Sequence, residues 1–316
     1  TSWQLVASCI GLTGVCVLAG TRRVFVVAAC AAFFFLAEVQ AIAAGSPRGK
    51  LRVTYLDVGQ GDSELVDFPD GRAMLIDGGG MVGSPVDVGA RVLAPVLRAR
   101  RRHKIDWVVL SHPHPDHFGG FVSGLQNKTI GEAWDTGQGE RESVGGGYAQ
   151  FFDRLKNEHV PIRHPDEICG DHFFGDARVS VLAPCPSYDP DEPPNDNSLV
   201  LKITYGRRAF LFVGDAEHSE EENLLKHGDL RADVLKVGHH GSRTSSSAPF
   251  IAAVSPTEAV ISVGSRNRFG HPNPATLSTL AAGGIRVWRT DRDGEIQVET
   301  DGENLSISAA RAPPDG

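Results

Sequence analysis

The sequence predicts an α/β domain preceded by two membrane-spanning helices, and three observations carry that expectation. Two apolar stretches, residues 3–19 and 24–44, stand ahead of everything else. From residue 51 onward, short buried-strand patterns mix with helical ones, and no internal repeat appears. Four of the buried strands run directly into polar loops carrying His or Asp, which gathers reactive groups along one edge of packed sheets.

The apolar stretches are separated by Thr21-Arg22-Arg23; the first is free of charge and the second carries only Glu38, so both approach the length needed to cross a bilayer. A signal peptide would imitate the second, with Arg22-Arg23, an apolar core and the small residues Ala41, Ala43 and Ala44, but the preceding apolar span favours a helical hairpin. Arg22 and Arg23 face Arg48, Lys50 and Arg52 across the second span, so the basic residues nearly balance. The first residue is Thr, inside an apolar segment, and the chain is expected to be a piece of a longer protein. Residues 1–44 are therefore read as the hairpin, 45–50 as a linker and 51–316 as the globular domain. With 316 residues and 41% hydrophobic content, the chain can bury a substantial core. Cys9, Cys16 and Cys30 lie in the apolar segments as packing residues, while Cys169 and Cys185 form either one disulfide or two buried thiols.

In the globular part, residues 51–58 and 64–68 read as strands joined through Gly59-Gln60-Gly61-Asp62-Ser63. The turn Asp70-Gly71 leads to a third strand at 73–76. Asp57, Asp62 and Asp77 fall at strand ends, where a carboxylate can orient a loop. Residues 86–102 have helical spacing and finish in Arg98, Arg100, Arg101 and Arg102, which complement a helix dipole. A buried strand at 105–110 follows, then a helix over 118–125. The glycine-rich, polar stretch 134–147 predicts a mobile loop beside a cleft. Helices are expected at 148–158, 217–227 and 274–282, and strands at 179–182, 199–205, 209–213, 232–237, 259–263, 286–290 and 295–300.

The chemistry concentrates after the strand at 105–110, in Ser111-His112-Pro113-His114-Pro115-Asp116-His117. Three imidazoles and a carboxylate within six residues form a metal site, because alternate side chains of a tight loop leave in different directions. His112 and His114 reach one ion, Asp116 and His117 a second. Downstream, the strand at 209–213 runs into Gly214-Asp215, which places a carboxylate to bridge two ions through its two oxygens. The strand at 232–237 delivers Gly238-His239-His240-Gly241-Ser242, and that at 259–263 delivers Arg266, Arg268 and His271.

The histidine loop with Asp215 and His239-His240 resembles the metallo-β-lactamase superfamily over residues 51–300. Leu56-Asp57-Val58-Gly59-Gln60-Gly61-Asp62-Ser63, Asn197-Ser198-Leu199, Leu235-Lys236-Val237-Gly238-His239-His240-Gly241-Ser242 and Phe269-Gly270-His271-Pro272 resemble the C-terminal domain of the ComEC family of competence proteins. The resemblance implies a metallo-β-lactamase-like αββα four-layer sandwich with two divalent metal ions, zinc or manganese, at one edge. It implies the ligands His112, His114, Asp116, His117 and Asp215, completed by one of His239 and His240. His239 is assigned here to the metal, and His240 joins Asp116, Asp215 and His271 as catalytic. Asn197 stands where many members supply a further histidine to the first ion. Asn197, Ser242, Arg243, Arg266 and Arg268 are expected to bind substrate.

The function implied is phosphodiester hydrolysis of DNA at a DNA-uptake channel, degrading the strand that is not imported. The implied partners are DNA, the rest of the membrane channel, and competence DNA-receptor and translocation proteins. The implied location is a multi-pass protein of the bacterial inner membrane with the hydrolase on the extracytoplasmic side. A net charge of -8 opposes a polyanion, so any DNA contact must come from local placement of arginine. Two other readings are a non-catalytic DNA-guiding domain and a membrane-anchored small-molecule hydrolase such as a phosphocholine esterase or lactonase.

Overall fold

A computed structural model of the chain describes residues 6, 8–11, 13, 20–80, 86–226 and 228–311. The chain falls into two compact units, Thr1–Ser46 with Ala99–Arg101, and Pro47–Arg98 with Arg102–Gly316. In the first, Thr21–Gly45 is one helix of 25 residues, long and apolar enough to cross a membrane. The other predicted span, 3–19, falls largely outside the described residues.

In the second unit, strands β1 (Leu51–Tyr55), β2 (Glu64–Asp67), β3 (Ala73–Ile76), β4 (Lys104–Val109), β5 (Thr129–Trp134) and β6 (Ile162–Arg163) belong to one sheet. Strands β7 (Gly170–Phe174), β8 (Ala177–Ala183), β9 (Val200–Tyr205), β10 (Arg208–Phe212), β11 (Val234–Lys236), β12 (Glu258–Ile261) and β13 (Arg286–Arg289) make a second sheet, and β14 (Ile296–Thr300) and β15 (Leu305–Ala309) return to the first. The order is β15-β14-β1-β2-β3-β4-β5-β6 in one sheet and β13-β12-β11-β10-β9-β8-β7 in the other.

Alternation along the strands builds four layers. Leu51, Val53 and Tyr55 of β1, Met74 and Ile76 of β3, and Phe210 and Phe212 of β10 point between the sheets into one buried core. The opposite faces are covered by helices. Leu65 and Leu75 pack with Phe121, Phe151 and Leu155 on one side, and Leu211 and Leu235 pack with Phe250, Val254 and Leu280 on the other. The result is the predicted αββα sandwich.

Both sheets are parallel where it matters for chemistry. β3, β4, β5 and β6 run parallel, as do β10, β11, β12 and β13. Side chains that follow the carboxyl ends of such strands collect at one edge.

Three local expectations differ from the structure. The stretch 134–147 is no loose loop, because buried Asp135 accepts hydrogen bonds from the Gly137 N–H and the Tyr148 hydroxyl, and Gln138–Arg141 is a helical turn. Residues 118–125 form two single turns, Pro115–Phe118 and Phe121–Gly124, parted at Gly119-Gly120. The helix of 86–102 begins as a wide turn at Gly89–Leu93 before Ala94–Ala99. Cys169 and Cys185 are joined in a disulfide.

Candidate metal centre

The histidine loop starts where β4 ends, and a single carboxylate fixes both of its ends. Asp77, just past β3, accepts from the Ser111 N–H (2.8 Å) and the Ser111 hydroxyl (2.7 Å). Its Oδ2 also lies 2.7 Å from Nδ1 of His117. A proton on that Nδ1 leaves the lone pair of Nε2 aimed into the site, which is how an outer carboxylate sets the tautomer of a metal-binding imidazole. Between these ends His114 precedes the turn Pro115–Phe118, so Asp116 and His117 fall on one helical turn. The turn before β2 backs this loop closely. The Asp62 N–H donates to the Asp116 carbonyl at 3.1 Å, and a Cβ on Gly61 (φ +124°) would come within 2.3 Å of that oxygen.

Asp116, His117, Asp215 and His240 each offer a ligand atom, all within 4.8 Å of one another. Nε2 of His240 is 3.3 Å from Asp116 Oδ2 and 3.6 Å from Asp215 Oδ2, and Nε2 of His117 is 3.4 Å from Asp215 Oδ2. Beside this group, His112 Nε2 and His114 Nδ1 converge to 3.0 Å, with His112 Nε2 3.9 Å from Asp215 Oδ2. Asp215 therefore lies between the two sets. His117 Nε2, Asp215 Oδ1 and His240 Nε2 are buried without a hydrogen-bond partner, a costly state for polar atoms unless a cation satisfies them. The residues fit divalent ions.

The electrostatics agree. Burial alone would raise the Asp215 carboxyl, but the imidazoles of His240 and His117 outweigh it and hold the group well below the usual carboxylate range. Burial opposes the charging of His240, yet the Asp215 and Asp62 carboxylates push it up to about 10, and His117 is likewise raised by Asp215 and Asp77. Protons on these rings are balancing a surplus of buried carboxylate, a role that metal can take over. Behind His240, fully buried Lys236 donates to Asp62 Oδ2 at 2.6 Å, while Asp62 Oδ1 is 3.1 Å from His240 Nδ1. The sequence reading picked out Asp62 and Asp77 as orienting carboxylates but missed Lys236; its signal was a lysine inside the apolar strand Val234-Leu235-Lys236-Val237.

Residues 56–265 match the Metallo-beta-lactamase superfamily. The chain belongs to this superfamily. It is 33% identical over 78% of its length to "ComE operon protein 3" of Bacillus subtilis (strain 168), covering 32% of that protein. It is 32% identical over 79% of its length to "Competence protein ComA" of Neisseria gonorrhoeae, again covering 32%. The resemblance to ComEC-family proteins is thus borne out, and the chain spans about a third of the length of these relatives. Among solved structures, CmlA, a diiron beta-hydroxylase from Streptomyces venezuelae, shares the fold with a TM-score of 0.50 at 15% identity, over 77% of this chain and 53% of that one.

Around the cage of this metallo-beta-lactamase domain, the remaining predicted residues fall into different places. His239 and His240 are placed differently from one another. Both adopt left-handed backbone (φ 45° and 53°), and the turn sends His240 inward and buried, whereas the His239 side chain keeps 23% exposure with Nδ1 2.7 Å from Glu217 Oε1. His239 stands outside the four-residue group and His240 within it. Asn197 has its amide engaged by backbone. It is buried, with its amide donating to the carbonyls of Asp189 and Glu192 and accepting from the Asp189 N–H, so it pins the proline-rich loop. Asn195, two residues earlier, lies near His239, with Nδ2 3.3 Å from Glu217 Oε1 and 3.5 Å from His239 Nδ1.

His271 is half-buried, its ring 6.4 Å from that of His240, and burial together with His239 and His240 pushes it down to about 4. The Ser242 hydroxyl pairs with that of Thr244 at 2.9 Å. Arg243, Arg266 and Arg268 are exposed, and among the described residues none has a carboxylate partner.

Proposed function

We propose that this domain is a two-metal phosphodiesterase that hydrolyses DNA, held at the membrane as part of a DNA-uptake channel. The observation that carries this reading is the cage itself: His112 and His114 on one side, Asp116, His117 and His240 on the other, and Asp215 between them. In this reading His112 and His114 would hold one divalent ion and Asp116, His117 and His240 another, with Asp215 available to both. Such ions would supply a water of lowered pKa and neutralise charge on a phosphate. An oxygen-containing donor set with few imidazoles at the first position suits Mn²⁺ as well as Zn²⁺.

The chain's own residues do the rest. Asp77 and Asp62 orient His117 and His240, and neutral His271, its ring 6.4 Å from that of His240, is assigned to contact a phosphate oxygen or leaving oxygen. Arg243, Arg266 and Arg268 supply unpaired guanidinium groups for flanking phosphates, which answers the overall charge of -8 locally. The names of the relatives support a part in competence; the reading adds DNA uptake, the rest of the channel and the competence DNA-receptor and translocation proteins as partners, and the non-imported strand as substrate. The Cys169–Cys185 disulfide supports an extracytoplasmic location, since such bonds persist in oxidising compartments.

The test is hydrolysis by the full chain in detergent with Mn²⁺ or Zn²⁺, offered DNA, a small phosphodiester and a lactone. DNA and the phosphodiester are expected to be cleaved, and His114→Ala to abolish both. Cleavage of the lactone alone, or full activity in His114→Ala, overturns the reading.

A further inference from the structure

Among the described residues of the second unit, Phe173 and Phe269 are exposed phenylalanines, 69% and 63% accessible, and Phe269 is the one beside the metal cage. Its ring lies 5.8 Å from that of His271 at an interplanar angle of 29°, and His271 lies 6.4 Å from His240 at the same angle. A line of flat groups thus runs from solvent to the cage. The loop that presents Phe269 is braced by a single amide. Asn267 Oδ1 accepts from the N–H of Phe269 (3.2 Å) and of His271 (3.0 Å), while Nδ2 donates to the carbonyls of Gly264 and His271, both at 2.8 Å. Arg266 and Arg268 precede Phe269 in the same loop, both exposed.

An exposed aromatic on a braced turn gains nothing for folding, since its apolar face stays in water. With two exposed arginines in the same loop that have no carboxylate partner among the described residues, it has the composition of a surface that stacks a base while cations hold the neighbouring phosphates.

Resting on the phosphodiesterase reading above, we propose that Phe269 is a stacking site for an unpaired nucleobase, so that the domain engages single-stranded DNA in preference to duplex. Arg266 and Arg268, in the same loop, hold phosphates next to that base, and His271 continues the path toward the cage. In a duplex the bases are already stacked on each other and cannot reach the ring.

The test uses the full chain in detergent and a short oligonucleotide carrying one 2-aminopurine, as a single strand and annealed to its complement. Binding is read by anisotropy, and stacking by quenching of the 2-aminopurine. Phe269→Ala is expected to raise the Kd for the single strand roughly 5- to 100-fold, the range that base–aromatic stacking supports. It should also abolish quenching, while Phe269→Trp retains both and duplex binding shifts less than about twofold. Because the side chain is exposed, circular dichroism should show both variants folded. Wild-type affinity for the single strand in Phe269→Ala, or equal weakening of single strand and duplex, overturns the stacking site while leaving the hydrolase reading standing. A wild-type protein that cleaves no phosphodiester and binds neither DNA form overturns both.

Discussion

Asp215 Oδ2 lies within 4 Å of nitrogens from four histidines: 3.4 Å from His117, 3.6 Å from His240, 3.7 Å from His239 and 3.9 Å from His112. In the proposed centre it is shared by both sides of the cage, so Asp215→Asn should reduce bound metal toward zero per chain by mass spectrometry. His240→Ala should lose one ion, whereas His239→Ala should keep two; the opposite pattern would return His239 to the ligand set. Metal uptake also has a defined pH dependence. His240, raised to about 10, and His117, raised by Asp215 and Asp77, carry protons at neutral pH that the ion must displace. Affinity should therefore climb with pH between 6 and 8, by up to roughly tenfold per pH unit for each proton released. Calorimetry in buffers of different ionisation heat measures that release. At this scale the sequence shows the histidine loop and Asp215, because each follows a buried strand directly. It cannot show which of two adjacent histidines turns inward, since the left-handed backbone at both is set by packing around Gly238 and Gly241 rather than by any residue pattern.

Elements buried on one side and wet on the other were the hardest to read. β7 and β15 are edge strands with mostly half-buried or exposed residues, and neither was predicted; β5, in contrast, is internal but interrupted by Gly131 and Glu132. The helix His218–Leu224 was legible within the expected 217–227, but the burial of Glu220 and Glu221 on it was not. Burial pushes Glu220 up to about 7, with Asp196 and Glu192 adding to it against a hydrogen bond from Asn223. A carboxyl raised in the folded state favours folding below its unfolded value, and that contribution is lost as pH rises toward 7. Glu220→Gln should therefore match the wild type near pH 4 and become more stable by up to about 3 kcal/mol by pH 8, from about 1.4 kcal/mol per pKa unit. Urea melts at the two pH values check this; equal curves at pH 8 would mean the carboxylate is better solvated than its position indicates.

For the molecule as a whole, the four layers were predictable because strands alternate inside and out, while the seam of the first sheet was not. β1 lies between β2 and β14, with Leu51 opposite Thr300, so the earliest strand of the domain is covered by one of the last. A chain ending at Gly294 lacks β14 and β15 and leaves β1 as an uncovered edge over the central core, where Val53 and Tyr55 lose Val298 and Ile296 as neighbours. Such a truncation should lose cooperative thermal unfolding and accumulate as insoluble protein; a soluble form with a sharp melt would show that the outer strands are dispensable. The same seam has a meaning in time. At ordinary rates of translation, roughly 5–20 residues per second, β1 leaves the ribosome about 12–50 s before β14 exists. Any ribosome that stops within that interval releases a chain whose sheet stands open, which makes it a substrate for proteases instead of a shorter working enzyme.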